Sequence, residues 1–272
     1  MATLKDALKK ELTKKELNLV PRAFDTIGTI AIFTQFPDEL KKKEKIIAQK
    51  ILELHKNLET VAKKTEQYSG KYRLQRIKII AGKRTKETLH RENGVQIKLD
   101  VENCYFSPRT SSERLRIANL VRKNESVLVM FSGVAPFPLV IAKHAHPKEI
   151  YAIEANPTAH KYALENVKLN KFKNMNVIKG DVKKVLPKIN KKFDRILMPL
   201  PKSAEQYLNM ANTKLKPKGI IHFYDFAKKE EFPKSSLKKI QKYLKKFKVK
   251  DRVLCGQYSP RAYRVCIDIQ PL

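Results

Sequence analysis

The chain has few cysteines, few acidic residues and no long hydrophobic run. Cys104, Cys255 and Cys266 are its only cysteines and show no CxxC spacing, so neither a disulfide framework nor a cysteine-based metal site is expected. No run approaches the about 20 apolar residues of a membrane-spanning helix, and the lysine-rich N-terminus lacks the apolar core of a signal peptide. These absences predict buried thiols in a reducing cytoplasm, with no metal and no membrane as partner.

Positive charge is what the chain has in excess. Its 58 lysines and arginines against 27 acidic residues leave a formal net charge of +31. An excess of this size repels itself in the compact state and attracts polyanions, so nucleic acid is the first interpretation. An anionic membrane surface is the second. A lysine-rich hyperthermophile surface is the third, although such surfaces are usually balanced by glutamate.

The pattern of elements divides the 272 residues into two predicted domains. Residues 1–108 are predicted to form a small basic α+β domain that binds RNA. Its predicted elements are helices over 2–18 and 38–55, strands over 24–33, at Val61, over 77–81 and over 95–101, and a turn over 90–94.

Residues 109–272 alternate between strands and helices. Strands are predicted over 126–130, 149–154, 174–179, 193–198, 219–226, 250–258 and 262–269, and helices over 110–122, 136–144, 157–170, 202–215 and 234–247. Such alternation predicts a parallel sheet covered on both faces. The last two strands are joined by a short SPRA turn, which predicts an antiparallel pair at one edge. The expected fold class is therefore α/β with a Rossmann-like sheet, the usual architecture of class I methyltransferases.

The most informative segment is 127–157, VLVMFSGVAPFPLVIAKHAHPKEIYAIEANP. A strand leads through a tight turn over 132–135 into a helix, and a second strand ends on Glu154. The turn lets a ligand approach the backbone, and the acid can accept hydrogen bonds from a ribose diol. Phosphate-binding turns usually carry three glycines, whereas this turn has only Gly133. The predicted ligand is an adenosine without a pyrophosphate, such as S-adenosylmethionine, and a ligand-free strand-turn-helix is the alternative.

Further candidate residues follow the next two strands. Asp181, after Gly180, can accept a hydrogen bond from an adenine amino group. The rigid segment over 199–201 can shape the entrance of the site, where a base would lie against the sulfonium of S-adenosylmethionine. A helix N-cap or a solvated loop is the alternative for each acid. Because ligands of open α/β sheets bind beyond the carboxyl ends of the strands, these positions are expected to lie together.

Five segments, taken in order, resemble the archaeal and eukaryotic tRNA guanine-37 N1-methyltransferases. They are YFSPRTSSERLRIA (105–118), MFSGVAPF (130–137), AIEANP (152–157), GD (180–181) and MPLP (198–201), and FDTIGTIAIF, AGKRTKETLHRENGVQIKLDV and GIIHFY fit the same family. The resemblance covers about residues 20–272. It implies a class I methyltransferase that uses S-adenosylmethionine, acts on the anticodon loop of tRNA and has a small RNA-binding domain before its catalytic domain. We expect a cytoplasmic monomer.

The resemblance also assigns residues by motif. The cofactor would contact Arg114, Phe131, Gly133, Glu154, Ala155, Asp181, Val182 and Pro199. The residues assigned to catalysis are Arg109, near the target base, and Pro199 and Pro201, which line the place where base and cofactor meet.

Methylation at guanine N1 requires removal of the N1 proton and stabilisation of the charge that moves to O6. A guanidinium meets the second need because it stays charged and donates in a fork, so Arg109 is predicted to stabilise O6. A carboxylate is the expected base, and Asp225 and Glu205 are candidates.

Three positions depart from the family pattern. The family usually has Asp where Val129 stands, Gly where Ala135 stands and Asn where Pro199 stands. Ala135 adds a methyl group where the cofactor would back onto the chain, and Pro199 removes an amide and a backbone donor. Members commonly carry an extra N-terminal domain that grips the outer corner of tRNA, for which this chain has hardly room. Either tRNA affinity is lower, or the lysine-rich surface compensates.

Other functions stay open. A sister enzyme of wybutosine synthesis transfers an aminocarboxypropyl group from the same cofactor and also lacks the extra domain, although Ser107, Pro108 and Arg109 argue against it. A variant enzyme would methylate a wybutosine intermediate as well as guanine. The three departures also permit a non-catalytic basic RNA-binding protein with a decayed cofactor pocket.

Overall fold

A computed structural model describes residues 3–66, 69–259 and 261–272. The chain divides into two compact units, one formed by Met1–Arg91 with Gln96–Pro108 and the other by Glu92–Val95 with Arg109–Leu272. The RNA-binding role predicted for residues 1–108 stays a prediction.

The first unit contains a four-stranded sheet in the order β1-β2-β3-β4. Its strands are β1 (Asp25–Ile27), β2 (Ile30–Phe33), β3 (Thr60–Lys64) and β4 (Ile77–Gly82), and its helices are α1 (Leu4–Ala7), α2 (Lys14–Leu19), a 3-10 helix (Asp38–Lys43) and α3 (Glu44–Leu54). Strands β2 and β3 are parallel, and α3 connects them. Because Ile47 and Ile51 lie four residues apart on α3, both face the core, where they join Phe33 and Val61.

Two predictions for this unit are wrong in detail. The helix predicted over 2–18, whose first residue Ala2 lies outside the described residues, is two short helices. The break falls at Thr13, whose hydroxyl accepts from the N–H of Glu16 while the Glu16 carboxylate accepts from the N–H of Thr13, a capping box that starts a new helix. The strand predicted over 24–33 is a hairpin, since Gly28 turns the chain with φ +56°.

A second, two-stranded sheet pairs β5 (Glu87–Glu92) with β6 (Val95–Asp100). Strand β6 and the turn before it were predicted, whereas β5 was not. The burial of β6 alternates strictly between buried and half-buried positions, which is the pattern of a strand with one face in a core.

The second unit is built on a seven-stranded sheet in the order β12-β13-β11-β10-β7-β8-β9. The strands are β7 (Ser126–Met130), β8 (Glu149–Glu154), β9 (Met175–Lys179), β10 (Phe193–Met198), β11 (Leu215–Ala227), β12 (Phe247–Ser259) and β13 (Ala262–Pro271). Strands β7 to β11 are mutually parallel, and β13 is antiparallel to both of its neighbours. The predicted Rossmann-like sheet with an antiparallel pair at one edge is confirmed. Pro260, in the predicted SPRA turn, lies outside the described residues.

Helices cover both faces of this sheet. They are α4 (Ser111–Leu120), α5 (Pro136–Ala145), α6 (Pro157–Leu169), α7 (Val182–Val185), α8 (Leu208–Thr213) and α9 (Lys234–Gln241), with 3-10 helices at Pro108–Thr110, Leu186–Lys188 and Ala204–Tyr207. The helix predicted over 202–215 is thus a 3-10 turn followed by a short α-helix, and the one predicted over 234–247 ends at Gln241. No helix in the described parts of the chain has the length and apolar character needed to cross a bilayer.

Neighbouring side chains on β11 show which helices share a face. Phe223 packs in a core cluster with Ile240 of α9, whereas Tyr224 donates to Glu113 of α4. Because successive side chains of a strand point to opposite faces, α4 and α9 lie on opposite sides of the sheet. The sheet therefore separates Glu113, on the α4 side, from side chains of β11 that face α9.

Candidate cofactor and substrate site

The carboxyl ends of β7, β8, β9 and β10 meet at one edge of the sheet. Met130 pairs with Ile153, and Glu154 pairs with Lys179. On the other side of β7, Val129 pairs with Leu197. The residues that follow these strands include most of the sequence-predicted site, and the parallel register brings them together as expected.

The turn after β7 is conformationally strained. Phe131, Gly133 and Ala135 have φ values of +56°, +58° and +68°. A left-handed conformation costs an L-residue about 1–2 kcal/mol, so two of these three positions are unfavourable on their own. Such strain persists only where the surroundings enforce it, and it clusters at ligand sites.

Within this turn, the hydroxyl of Ser132 is buried and has no hydrogen-bond partner among the described residues. Most buried polar atoms in native proteins are hydrogen-bonded, to protein or to water. The Ser132 hydroxyl is therefore suited to bond a polar ligand group or a water at the turn.

Glu154 connects β8 to the turn. Its carboxylate accepts from the N–H of Gly133 at 2.6 Å and from the N–H of Asn156 at 2.7 Å. Burial raises the pKa of Glu154, while the N–H groups of Asn156, Gly133 and Ala155 oppose that rise. A carboxylate has more acceptor sites than these three donors use, so Glu154 can hold the turn and still accept from a ribose hydroxyl.

Asp181 begins α7 by accepting from the N–H of Lys183 at 2.9 Å. Gly180 before it has φ +147°, and a Cβ there would lie 2.6 Å from a methyl group of Val185, so only glycine fits. The Val182 side chain is buried in the core, which leaves its main chain to meet a ligand. The N-cap role of Asp181 is thus present, and its contact with adenine stays a prediction.

An aromatic contact that the sequence did not indicate joins the turn to the segment after β10. The rings of Phe131 and Tyr207 lie 4.8 Å apart at 76°, and Lys183 Nζ lies 5.4 Å from the centre of the Tyr207 ring. Between β10 and Tyr207, Pro199 is half-buried and Pro201 is buried. These contacts connect the segments that follow β7, β9 and β10.

The two predicted arginines differ in setting. Arg109 lies in the 3-10 helix before α4 and is exposed. Arg114 is buried, and its guanidinium donates to both carboxylate oxygens of Glu92 at 2.5 Å and to the Thr110 hydroxyl at 2.6 Å. This bidentate pair ties the Glu92–Val95 turn to α4. Arg114 thus has a structural role, and its predicted cofactor contact stays a prediction.

Glu113 is a buried carboxylate that the sequence did not distinguish. It accepts from the Tyr224 hydroxyl at 2.6 Å and from the Arg116 guanidinium at 2.7 and 2.8 Å. Burial raises the pKa of Tyr224 well above its ordinary value, so this hydroxyl is a donor. The Tyr224 ring is 5.7 Å from that of Phe137 in the first turn of α5, so Glu113 lies on the side of the sheet where the strained turn enters α5.

The candidate bases named from the sequence are less well placed. Asp225 accepts from the Ser236 hydroxyl at 2.8 Å and from Lys239 Nζ at 2.7 Å, so it anchors α9 on the face opposite Tyr224. Glu205 is half-buried in the 3-10 helix Ala204–Tyr207.

One buried group has the residue types of a metal site. His222, Cys266 and Asp268 offer ligand atoms within 4.8 Å of one another. However, Arg195 Nη1 lies 2.7 Å from His222 Nε2, and Arg116 Nη1 donates to Asp268 at 2.8 Å. A metal cation would have to displace two guanidinium groups, so we assign this cluster to the structure of the sheet.

Two family models match successive parts of the chain. The TRM5/TYW2 methyltransferase domain matches residues 88–252, more than half of the chain, and the TYW2 N-terminal domain matches residues 4–85. The first match contains the strained turn, Glu154, Asp181 and the Tyr207 contact.

Individual proteins agree with this match. The tRNA (guanine(37)-N(1))-methyltransferase Trm5b of Pyrococcus abyssi is 41% identical over 92% of this chain and 75% of its own length. The tRNA (guanine(37)-N(1))/4-demethylwyosine(37)-methyltransferase Taw22 of Nanoarchaeum equitans is 32% identical over 91% and 99%. A solved complex of aTrm5 with tRNALeu superposes with a TM-score of 0.87, at 30% identity, over 99% of this chain and 78% of that chain. The predicted family is confirmed, and the chain belongs to the TRM5/TYW2 methyltransferase family.

Proposed function

We propose that this protein transfers a methyl group from S-adenosylmethionine to N1 of guanine-37 in the anticodon loop of tRNA. The observation that carries the proposal is the Glu154 carboxylate bonded to the strained turn at the carboxyl edge of the sheet, in a chain 41% identical to a tRNA (guanine(37)-N(1))-methyltransferase. The buried hydroxyl of Ser132 and the spare acceptor sites of Glu154 fit an adenosine-type cofactor.

The cofactor would lie along the edge formed by Phe131, Gly133, Glu154 with Ala155, Asp181 with Val182, and Pro199. Glu154 would accept from the ribose, and Asp181 from the adenine amino group. When bound, the cofactor would supply a methyl group activated by its sulfonium. Holding base and methyl donor in reacting geometry is worth up to about 7–11 kcal/mol of the barrier, so positioning by this edge is the main contribution we assign to it.

Arg109 is the residue we assign to guanine O6. Arg109 is an exposed residue on the 3-10 helix before α4, and a guanidinium can donate two parallel hydrogen bonds. Stabilisation of the charge that develops on O6 lowers the free-energy cost of removing the N1 proton, so that N1 can attack the methyl group. Pro199 and Pro201 would form the rigid wall against which the base lies.

Glu113 is better placed than Asp225 to accept the N1 proton. It lies four residues after Arg109 on the same side of the sheet as Tyr224, whereas Asp225 is held by Lys239 on the opposite face. Hydrogen bonds from Tyr224 and Arg116 fix the orientation of the Glu113 carboxylate. A base must be within hydrogen-bond reach of the proton it removes, and this geometric condition excludes a group on the far face.

The partner in this proposal is tRNA. A net charge of +31 favours binding to phosphates, whose neutralisation releases counterions and makes affinity depend on salt. The solved tRNA complex of a structural relative supports the same partner. A monomer acting in the cytoplasm completes the proposal.

A second candidate is aminocarboxypropyl transfer from the same cofactor, favoured by the TYW2 N-terminal domain match over residues 4–85. A third is methylation of 4-demethylwyosine in addition to guanine, favoured by the similarity to Taw22.

Nucleoside mass spectrometry separates these candidates. Unmodified tRNA and tRNA carrying 4-demethylwyosine at position 37 are each incubated with protein and S-adenosylmethionine and then digested. We expect N1-methylguanosine from the first tRNA. An aminocarboxypropyl product with no N1-methylguanosine would establish the second candidate. A methylated wyosine from the second tRNA would establish the third. Absence of any product, together with no heat of S-adenosylmethionine binding in calorimetry, would identify a non-catalytic RNA-binding protein.

A further inference from the structure

A cluster of aromatic and arginine side chains lies at the carboxyl end of β11. Phe226 on β11 pairs with Arg264 on β13, and Arg264 pairs with Gly256 on β12. Directly paired residues of neighbouring strands point to the same face. The rings of Phe226 and Tyr258 lie 4.1 Å apart with a tilt of 33°, and the Arg264 guanidinium lies 6.0 Å from the Phe226 ring centre. We name Phe226, Tyr258 and Arg264 the aromatic platform.

The platform adjoins the residue that we assign to the target base. A Cβ placed on Gly256 would lie 3.7 Å from the carbonyl oxygen of Arg109, so the backbone of Arg109 passes over the row that contains Phe226 and Arg264. Phe226 also lies two residues after Tyr224, so both point to the α4 face, the face that holds Glu113.

The same end of β11 lies beside the segment after β10. Met198, the last residue of β10, pairs with Phe223, and Phe226 follows three residues later. The platform is therefore close to the segment over 199–201 as well as to Arg109, at the edge of the sheet where the target base would enter.

Tyr258 keeps its outer surface open to solvent. The residue is 40% exposed, although one side of its ring lies against Phe226. Unpaired bases stack on exposed aromatic rings and on guanidinium planes. Tyr258 offers such a ring, packed on one side against Phe226, with a guanidinium nearby. Arg264 and the overall positive charge match the phosphate that accompanies each base.

We propose that the aromatic platform binds an unpaired base next to the target guanine in the RNA loop. This inference rests on the proposed function, because it assumes a single-stranded loop substrate. Extrusion of the target base removes a stacking partner from its neighbours. Stacking of one neighbour on Tyr258, with its phosphate near Arg264, replaces that partner and holds the loop open while Arg109 meets the guanine.

The test uses the full chain and tRNA with 2-aminopurine at each position flanking guanine-37. Stacking of the fluorescent base on an aromatic ring quenches it, so we expect binding of the parent protein to quench one of the two positions. Tyr258→Ala should abolish that quenching and weaken tRNA binding about tenfold or more, whereas Tyr258→Phe should retain both. Leu254→Ala is the matched control, since Leu254 is 42% exposed on the same strand and should behave as the parent.

Failure of this inference is distinguishable from failure of the proposed function. Binding and quenching do not require methyl transfer, so quenching without N1-methylguanosine would keep the platform and reject the reaction. A parent protein that forms N1-methylguanosine but quenches neither flanking position would overturn the platform, without any variant being needed. Equal tRNA affinity and turnover for Tyr258→Ala and the parent would overturn it as well. Calorimetry with S-adenosylmethionine should give the same dissociation constant for all four proteins.

Discussion

Replacement of Ala135 by glycine tests how the strained turn works. Ala135 has φ +68° and ψ +33°, immediately before α5, and is 0% exposed. A left-handed alanine costs about 1–2 kcal/mol, which Ala135→Gly would remove. Glycine costs about 0.5–1 kcal/mol in chain entropy, and loss of one buried methyl group costs about 0.8 kcal/mol. These terms nearly cancel, so the free energy of unfolding should change by less than about 1 kcal/mol.

The effect on the cofactor follows from the same burial. From the sequence, the Ala135 methyl group was expected where the cofactor would back onto the chain. In the structure that methyl group is fully buried, so it does not line a space open to a ligand. We therefore expect Ala135→Gly to bind S-adenosylmethionine with an affinity within about threefold of the parent. Ala135→Val is the contrasting variant, because a branched side chain is strained at positive φ and overpacks the core by about 1–3 kcal/mol.

Calorimetry with S-adenosylmethionine and thermal unfolding measure the two effects. A change of 1 kcal/mol shifts the melting temperature of a unit of this size by about 2–4 °C, so the glycine variant should stay within that range and the valine variant should fall below it. A tenfold gain in affinity for Ala135→Gly would refute the reasoning, since it would show that the methyl group faces the cofactor.

Three further variants test other parts of the proposal. Asp181→Ser keeps an N-cap oxygen, so weaker S-adenosylmethionine binding by this variant in calorimetry would report the carboxylate itself; we expect a loss of about tenfold, and an unchanged dissociation constant would remove Asp181 from the adenine site. Arg109→Ala should lower the rate constant of methyl transfer about 10²-fold in single-turnover assays, with the dissociation constant of the cofactor unchanged. Equal losses in methyl transfer and in cofactor binding would reject the O6 role. Burial lowers the pKa of His222 below its ordinary 6.5, so the unfolded chain binds more protons than the folded one below that pH. The contribution of His222 to the free energy of unfolding should therefore be fully present above pH 6.5 and fall as the pH drops, by at most about 1.4 kcal/mol per pH unit. In denaturation at several pH values, His222→Asn should show a smaller dependence of the free energy of unfolding on pH. An identical dependence in the variant would assign it to other groups.

The sheet of the second unit was predictable because its strands are short apolar runs bounded by turn residues. SVLVM over 126–130 is buried along its whole length, as parallel strands are. Once these strands are parallel, Glu154, Asp181 and Pro199 must lie at one edge, whatever the details of the loops. The convergence of these candidate residues at one edge thus followed from periodicity and topology alone.

Other features depend on contacts that no local pattern contains. Glu113 is one of 27 acidic residues, and the role we propose for it follows from its hydrogen bond with Tyr224, 111 residues away. Tyr207 is recognisable only through its contact with Phe131. The break at Thr13 is different, because TKKE is a capping-box pattern present in the sequence. This pattern predicts a helix start at Thr13, although the apolar spacing over 2–18 suggests one continuous helix.

The distribution of charge indicates that attraction to RNA and recognition of one base depend on different groups. Several acids whose side chains are largely buried are paired with arginines, as in Glu92 with Arg114, Glu113 with Arg116 and Glu125 with Arg195. These pairs fix α4 and the sheet, and because each joins one positive and one negative charge, they leave the net charge of +31 unchanged. The surface is left strongly positive, which attracts any RNA regardless of sequence. Under the proposed function, selection of one guanine then comes from short-range groups at the sheet edge, and the groups that we propose for it are Arg109, through directed hydrogen bonds, and the aromatic platform, through stacking.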